Sequence, residues 1–279
     1  MQTFRQYFQL FLKGIAMGSA DVVPGVSGGT IAFITGIYEK LLNSIKSVDA
    51  EAFRLLFRLQ WQALWRHVNG NFLLVLLSGI GLSIVSLAKV IHFLLENYPI
   101  QLWSFFFGLI IIAAISVGRA IGKWRAGSII SGLLGIMIAY LITMATPAET
   151  PESWGFVFFS GALAICAMIL PGISGSFILL ILGKYTFILQ AINDRNLAVI
   201  AVFGLGCILG LLSFARLISW LLGRFHDIAV AMLAGFMIGS LNKIWPWKVV
   251  LSTRTNSKGE EVPLLTENIL PGEYVELTG

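Results

Sequence analysis

Long apolar runs separated by short polar links dominate the chain. Five of them, at about 72–95, 101–117, 128–145, 198–222 and 228–244, are uninterrupted. Most have the ~17–25 residues that a helix needs to cross the hydrocarbon core of a bilayer, and each predicts a transmembrane helix. Two further apolar segments are broken near their centres. Residues 11–46 contain Val23-Pro24-Gly25-Val26-Ser27-Gly28-Gly29, and residues 158–193 contain Leu170-Pro171-Gly172-Ile173-Ser174-Gly175-Ser176. Proline removes a backbone donor and glycine favours non-helical geometry, so each segment predicts two helical arms joined at a Pro-Gly tip. Inside a bilayer such a break is tolerated only where protein or a water-filled cavity covers the freed backbone groups.

The two broken segments are copies of one another. A slide of 147 positions aligns Phe11 with Phe158, Gly14 with Gly161, Pro24-Gly25 with Pro171-Gly172, Ser27-Gly28 with Ser174-Gly175, Gly36 with Gly183, and Tyr38 with Tyr185. A slide of 127 continues the match, pairing Gly79 with Gly206, Ser86-Leu87-Ala88-Lys89 with Ser213-Phe214-Ala215-Arg216, and Gly108 with Gly235. The difference is an insertion of about 20 residues around 47–69 in the first half. The chain therefore divides into a first repeat (1–146), a second repeat (147–247) and a polar tail (248–279) with five glutamates from Glu260 onward, expected to lie outside the membrane.

Parity sets the expected orientation. Three spans (72–95, 101–117 and 128–145) lie between the start of the first copy's long helix and the start of the second copy's, and a hairpin that enters and leaves on one side adds no net crossing. The copies are then inverted. With the N-terminus inside, inner loops hold Lys46, Arg54, Arg58, Arg66, Arg119, Lys123, Arg125 and Arg224. The outer loops at 96–100 and 146–157 hold Glu96, Glu149 and Glu152 and no Lys or Arg, as the positive-inside tendency requires. The weak point is the tail, placed outside despite Lys248, Arg254 and Lys258. In the 47–69 insertion, Phe53, Leu56, Phe57, Trp61, Leu64 and Trp65 recur at near-helical spacing among Arg54, Arg58 and Arg66. That pattern fits an amphipathic helix on anionic lipid headgroups or, equally, a linker helix packed on the bundle.

Composition agrees with a membrane protein. Hydrophobic residues make up 57% of the 279 and charged residues 12%, about half the soluble norm of roughly 25%. The mean hydropathy is +0.86. The net charge of +5 carries no basic-aromatic run that would suggest nucleic acid. Cys166 and Cys207 stand alone, and His67, His92 and His226 are scattered, so no metal site or disulfide framework is expected. A signal peptide ending at Ala20 is disfavoured because Lys13 interrupts its apolar stretch. No HExxH, GxxxxGK[ST] or GxSxG motif occurs, so no catalytic residue and no cofactor are assigned. Gly118-xxx-Gly122, Gly206-xxx-Gly210 and Gly235-xxx-Gly239 read as helix-packing faces.

Inverted repeats with paired broken helices belong to alternating-access transporters, whose substrate sites lie near the midplane. A helix that starts just after Pro-Gly presents unpaired N–H groups and a positive dipole end. Ser27, Gly28, Gly29 and Thr30, and likewise Ser174, Gly175 and Ser176, would let an anion approach, while Pro24, Gly25, Pro171 and Gly172 would serve as hinges. The alternative is tight packing by small residues; two symmetric loops favour the anion site. Lys89 and Arg216 occupy equivalent places inside apolar helices and either face the substrate path or snorkel to an interface. Asp21 has Met168 at its equivalent place. It would either couple transport to protons through its protonation state or act as a local cap or partner to a buried cation.

The Gly18–Thr30 run and its echo at Leu170–Ser176 resemble a bacterial family of polyprenyl-phosphate transporters (PopT type), formerly a domain-of-unknown-function family, over nearly the whole chain to about residue 245. The resemblance implies a multi-pass protein of the bacterial cytoplasmic membrane. Its substrate would be undecaprenyl phosphate, returned from the outer to the inner leaflet for reuse in peptidoglycan and other envelope polymers, with proton or sodium coupling left open. The headgroup would enter near Lys89, sit at the two loops and leave past Arg216 while the prenyl tail stays in lipid. A carrier of small soluble anions and a non-transporting membrane scaffold are the alternatives.

Overall fold

The computed structural model describes residues 3–23, 25–148, 150–255 and 261–278. Of the residues singled out above, Pro24, Glu149, Lys258 and Glu260 lie outside them. The described chain is a helical bundle with a small C-terminal hairpin. In the first half come α1 (Phe4–Val22), α2 (Gly28–Ile34), α3 (Tyr38–Lys46), α4 (Ala50–Phe57), α5 (Trp61–His67), α6 (Gly70–Asn97) and α7 (Pro99–Arg119). Then follow α8 (Ala126–Met144), α9 (Trp154–Ile169), α10 (Gly175–Ile181), α11 (Tyr185–Asn193), α12 (Leu197–Arg224) and α13 (His226–Ser240). The chain ends in β1 (Lys248–Thr255), β2 (Glu261–Asn268) and α14 (Pro271–Thr278).

Among the described residues, four helices, α6, α7, α8 and α12, are long and apolar enough to cross a membrane, and the pair α10–α11, bent by 107°, would make a fifth. The span expected at 228–244 is shorter than the pattern suggests. Helix α13 has 15 residues and stops at Ser240. Its apolar run reflects burial in protein: Val230, Ala231 and Met237 are each at most 1% exposed, and α13 packs on α7, α8 and α12. A helix apolar all round belongs in a protein core as readily as in lipid.

Each broken segment has two breaks, where one was expected. The first lies at the Pro-Gly tip, with Gly25 and Gly172 both at φ +88°. The second lies at Gly36 (φ +70°) and Gly183 (φ +62°), which splits the returning arm into α2 and α3 and into α10 and α11. Only glycine takes such left-handed backbone without steric cost. Helix α10 turns back toward the level at which α9 starts: Ile181 C=O accepts from Ala148 N–H at 2.9 Å, and Lys184 Nζ donates to Thr150 C=O at 2.7 Å.

The insertion expected as one helix is two, α4 and α5, because Leu59 takes a left-handed φ of +55° between them. Phe53, Phe57, Trp61 and Trp65 are exposed on it. The tail is likewise more than a polar appendage: β1 and β2 pair antiparallel, and Trp245 Nε1 donates to Ile269 C=O at 2.9 Å, tying the hairpin to the segment after α13.

Close helix pairs rest on glycine. Gly14 lies against Leu76 and Gly79, and Gly18 against Ile80 and Ser83, so α1 and α6 run in the same direction. Phe158 lies against Gly206 and Cys166 against Gly210, so α9 and α12 do too. Along α8 and α13, Ser131 bonds Ile228 and Gly135 meets Met232, again in parallel. A methyl group on Gly206 would lie 2.0 Å from the Phe158 carbonyl oxygen, whereas one on Gly81 would meet nothing within 4 Å. Gly206→Ala is therefore expected to lower the detergent-solubilised melting temperature by several degrees, an overpacking cost of about 1–3 kcal/mol. Gly81→Ala should leave it unchanged or raise it slightly.

Candidate functional site

The two tips cross each other at the centre of the bundle. Ser27 Oγ donates to Met168 C=O at 2.9 Å, and Gly172 N–H donates to Thr30 Oγ1 at 3.0 Å. Gly29 lies so close to Ile169 that a methyl group there would sit 2.4 Å from its carbonyl oxygen. Ser27 and Thr30 are fully buried and Ser174 nearly so. The crossing is closed from one side by α13, since Gly172 lies against Phe236, Met237 and Ser240. Sequence reasoning named both tips without foreseeing that they touch.

The donors at the start of α2 are engaged within the chain. Gly28 N–H donates to Asp21 Oδ1 at 2.7 Å, and Gly29 N–H donates to Ser27 Oγ at 3.0 Å. The anion lying at this helix start is the chain's own carboxylate, so an incoming anion would have to displace it. Asp21 thus takes the local-cap arrangement, with a backbone N–H as partner and not a buried lysine or arginine. In the second loop, where Met168 replaces the aspartate, Ser174 Oγ and Ser176 Oγ bond each other at 2.8 Å. The two loops are equivalent in backbone and different in chemistry.

Lys89 and Arg216, expected at the entrance and the exit of the path, stand on the long helices α6 and α12. Lys89 is exposed on α6. Arg216 donates to Val48 C=O at 2.8 Å and Leu212 C=O at 3.3 Å, and so stitches α12 to the end of α3. Lys13 and Lys184 both bond backbone carbonyls, and Lys184 is only 2% exposed. The cation that does reach the crossing is Lys243, which sequence reasoning passed over. Its side-chain stem lies 3.2 Å from where a methyl group on Gly25 would be, and its Nζ stands 4.4 Å over the Phe177 ring of α10. Its position at the end of an apolar run, four residues before Trp247-Lys248, was the available signal.

A second polar feature lies between the α7–α8 loop and the α12–α13 turn. A cavity of about 450 Å³ is lined by Lys123, Arg125, Ser128, His226 and Asp227 among others. The Asp227 carboxylate accepts from Gly122 N–H at 3.0 Å and Lys123 N–H at 3.1 Å. Those bonds hold its pKa below the usual carboxylate value.

A bundle with four or five apolar spans, and two broken helices meeting inside it, defines a multi-pass membrane protein. The chain belongs to the VCA0040-like family, described as undecaprenyl phosphate translocase-like, whose model matches residues 17–262. It is similar to a polyprenyl-phosphate transporter of Vibrio cholerae, 48% identical over 98% of this chain and 88% of that protein. It is also similar to a polyprenyl-phosphate transporter of Staphylococcus aureus, 30% identical over 84% of this chain and 85% of that protein. No solved structure gives a significant match.

Proposed function

We propose that this chain carries undecaprenyl phosphate from the outer to the inner leaflet of the bacterial cytoplasmic membrane, for reuse in peptidoglycan and other envelope polymers. The observation that carries the reading is the near full-length likeness to the polyprenyl-phosphate transporter of Vibrio cholerae. The crossed tips are the second support. They supply irregular backbone and hydroxyl groups deep in an apolar bundle, where a headgroup can be held while its tail stays in lipid. The protein acts as a carrier, and no covalent step is assigned to it.

The working cycle is alternating access by two inverted repeats. Supporting the inversion, α1 and α6 run together, as do α9 and α12, and the chain reverses at the single residues Tyr98 and Phe225 between long helices. Loops with Arg54, Arg58, Arg66, Arg119, Lys123 and Arg125 gather on the side assigned to the cytoplasm. The basic cavity at Lys123, Arg125 and His226 then serves as the inner exit, the role the sequence suggested for Arg216. The amphipathic α4–α5 pair lies on anionic headgroups at the same face.

Class and orientation are tested together. Proteoliposomes loaded with a phosphate sensor are expected to admit no inorganic phosphate through the protein, whereas uptake would indicate a carrier of soluble anions. Single cysteines at Trp124 and Tyr98 should be labelled by a membrane-impermeant reagent from opposite sides, Trp124 from the cytoplasmic one. Labelling of both from one side would contradict the orientation.

A further inference from the structure

The segment that follows α13 carries two lysines, and both turn toward protein. Lys243 reaches the crossing between Gly25 and Phe177. Lys248, the first residue of β1, donates from Nζ to the Lys243 carbonyl and stands 4.9 Å over the Trp103 ring of α7. Contacts from both halves of the chain therefore converge on two ammonium groups of one short segment. Among the described residues neither forms an ion pair with a carboxylate.

Such an arrangement is costly unless something answers it. Burial, with the nearby charge of Lys243 second, pushes the Lys248 pKa down to about 7. Aromatic faces give each ammonium some compensation, less than full solvation supplies. Solvent-facing lysines normally keep the ammonium in water; these two are only partly exposed.

The surrounding framework fixes their position. Asn268 of β2 donates from Nδ2 to Asn242 C=O at 2.8 Å, and Ile269 N–H donates to Trp247 C=O at 3.1 Å. Trp245 packs edge-on against both Phe107 and Trp247, with ring centroids 5.4 Å apart in each case. The hairpin thus clamps residues 241–248, and the tail gains a task that the sequence did not suggest. Aromatic residues of this kind concentrate at the headgroup level of membrane proteins.

We propose that Lys243 and Lys248, held by the C-terminal hairpin, form the site that receives the phosphate monoester headgroup next to the crossed tips. The inference rests on the lipid-phosphate reading above and deepens it. A monophosphate carries about −1.5 to −2 charge near neutral pH, the charge that two adjacent ammonium groups lack. Its prenyl chain leaves past Trp103 and Phe107 into lipid. In this account the two lysines do what the sequence assigned to Lys89.

The test is binding of farnesyl monophosphate, a short prenyl ester, to the purified full chain in detergent. Wild type is expected to bind it. Lys243→Gln and Lys248→Gln should each weaken binding at least about tenfold, the factor that ~1.4 kcal/mol represents. Lys243→Arg and Lys248→Arg should stay close to wild type, as should Lys46→Gln at an exposed lysine on α3. Should one glutamine variant misfold by gel filtration, the other carries the test. Wild-type binding that neither glutamine substitution weakens would overturn the site and leave the carrier reading standing. Inorganic phosphate binding as tightly as the ester would overturn a lipid headgroup as the occupant. No binding of the ester by folded wild type would overturn both readings.

Discussion

Gly29→Val is expected to abolish leaflet exchange of the lipid substrate while leaving most helix intact. Already the first added carbon would sit 2.4 Å from the Ile169 carbonyl oxygen. That oxygen belongs to backbone, so no rotamer change relieves the clash. Nor can the tips slide freely, since Ser27 holds Met168 and Thr30 holds Gly172 in the same few ångströms. The substitution must separate the tips or displace α2, and either outcome removes the crossing. Gly172→Ala should act similarly, because a left-handed φ of +88° is combined with contacts at 2.8–3.0 Å to Ser240, Met237 and Phe236. Gly36→Ala separates strain from crowding: φ is +70° but nothing lies within 4 Å. It should cost only the backbone penalty, about 1–2 kcal/mol, and lower stability without stopping exchange. Measuring exchange and melting temperature for all three checks the account. Exchange by Gly29→Val at the wild-type rate would refute the crossing's role.

Asp21→Ala should be the more damaging of two changes at the same site. It strips the acceptor from Gly28 N–H in a buried place, and an unsatisfied buried donor costs about 1–3 kcal/mol. Asp21→Asn can keep an acceptor oxygen in place but cannot ionise. We propose that Asp21 also couples transport: leaving Gly28 on protonation, it would free the α2 donors for the substrate anion. Asp21→Asn is then expected to fold, to retain exchange, and to lose any acceleration by an imposed proton gradient. If the asparagine variant responds to the gradient as wild type does, Asp21 is a cap only. A response to a sodium gradient in both proteins would move the coupling to sodium.

Periodicity and local chemistry were legible in the chain; contacts between distant residues were not. Four uninterrupted apolar runs became α6, α7, α8 and α12, because a long apolar helix has few other places to go. The Pro-Gly breaks appeared where backbone chemistry required them. The doubled pattern even carried the second break, since Gly36 and Gly183 aligned in the repeat, although their positive φ was not inferred. Helix α13 misled because burial in protein and burial in lipid produce the same apolar run. For Lys89 and Arg216 the sequence leaves the side chain's direction open for a related reason. An intramembrane cation announces itself in sequence, but the direction of its side chain depends on what packs beside it, and for Arg216 that is the Val48 carbonyl. Lys243 went unnoticed because it stands at the end of an apolar run, where a lysine is ordinary. Its weight comes only from Gly25 and Phe177, both far away in sequence.

The most direct measurement is the movement of undecaprenyl phosphate between leaflets of proteoliposomes, read by the access of an external phosphatase to the headgroup. Without the protein only the outer-leaflet share should be hydrolysed. With wild-type protein the inner share should follow, and Lys243→Gln or Gly29→Val should slow that second phase at least about tenfold, about 1.4 kcal/mol in barrier terms. Hydrolysis that stops at the outer-leaflet share with folded wild-type protein, under both proton and sodium gradients, would contradict the account.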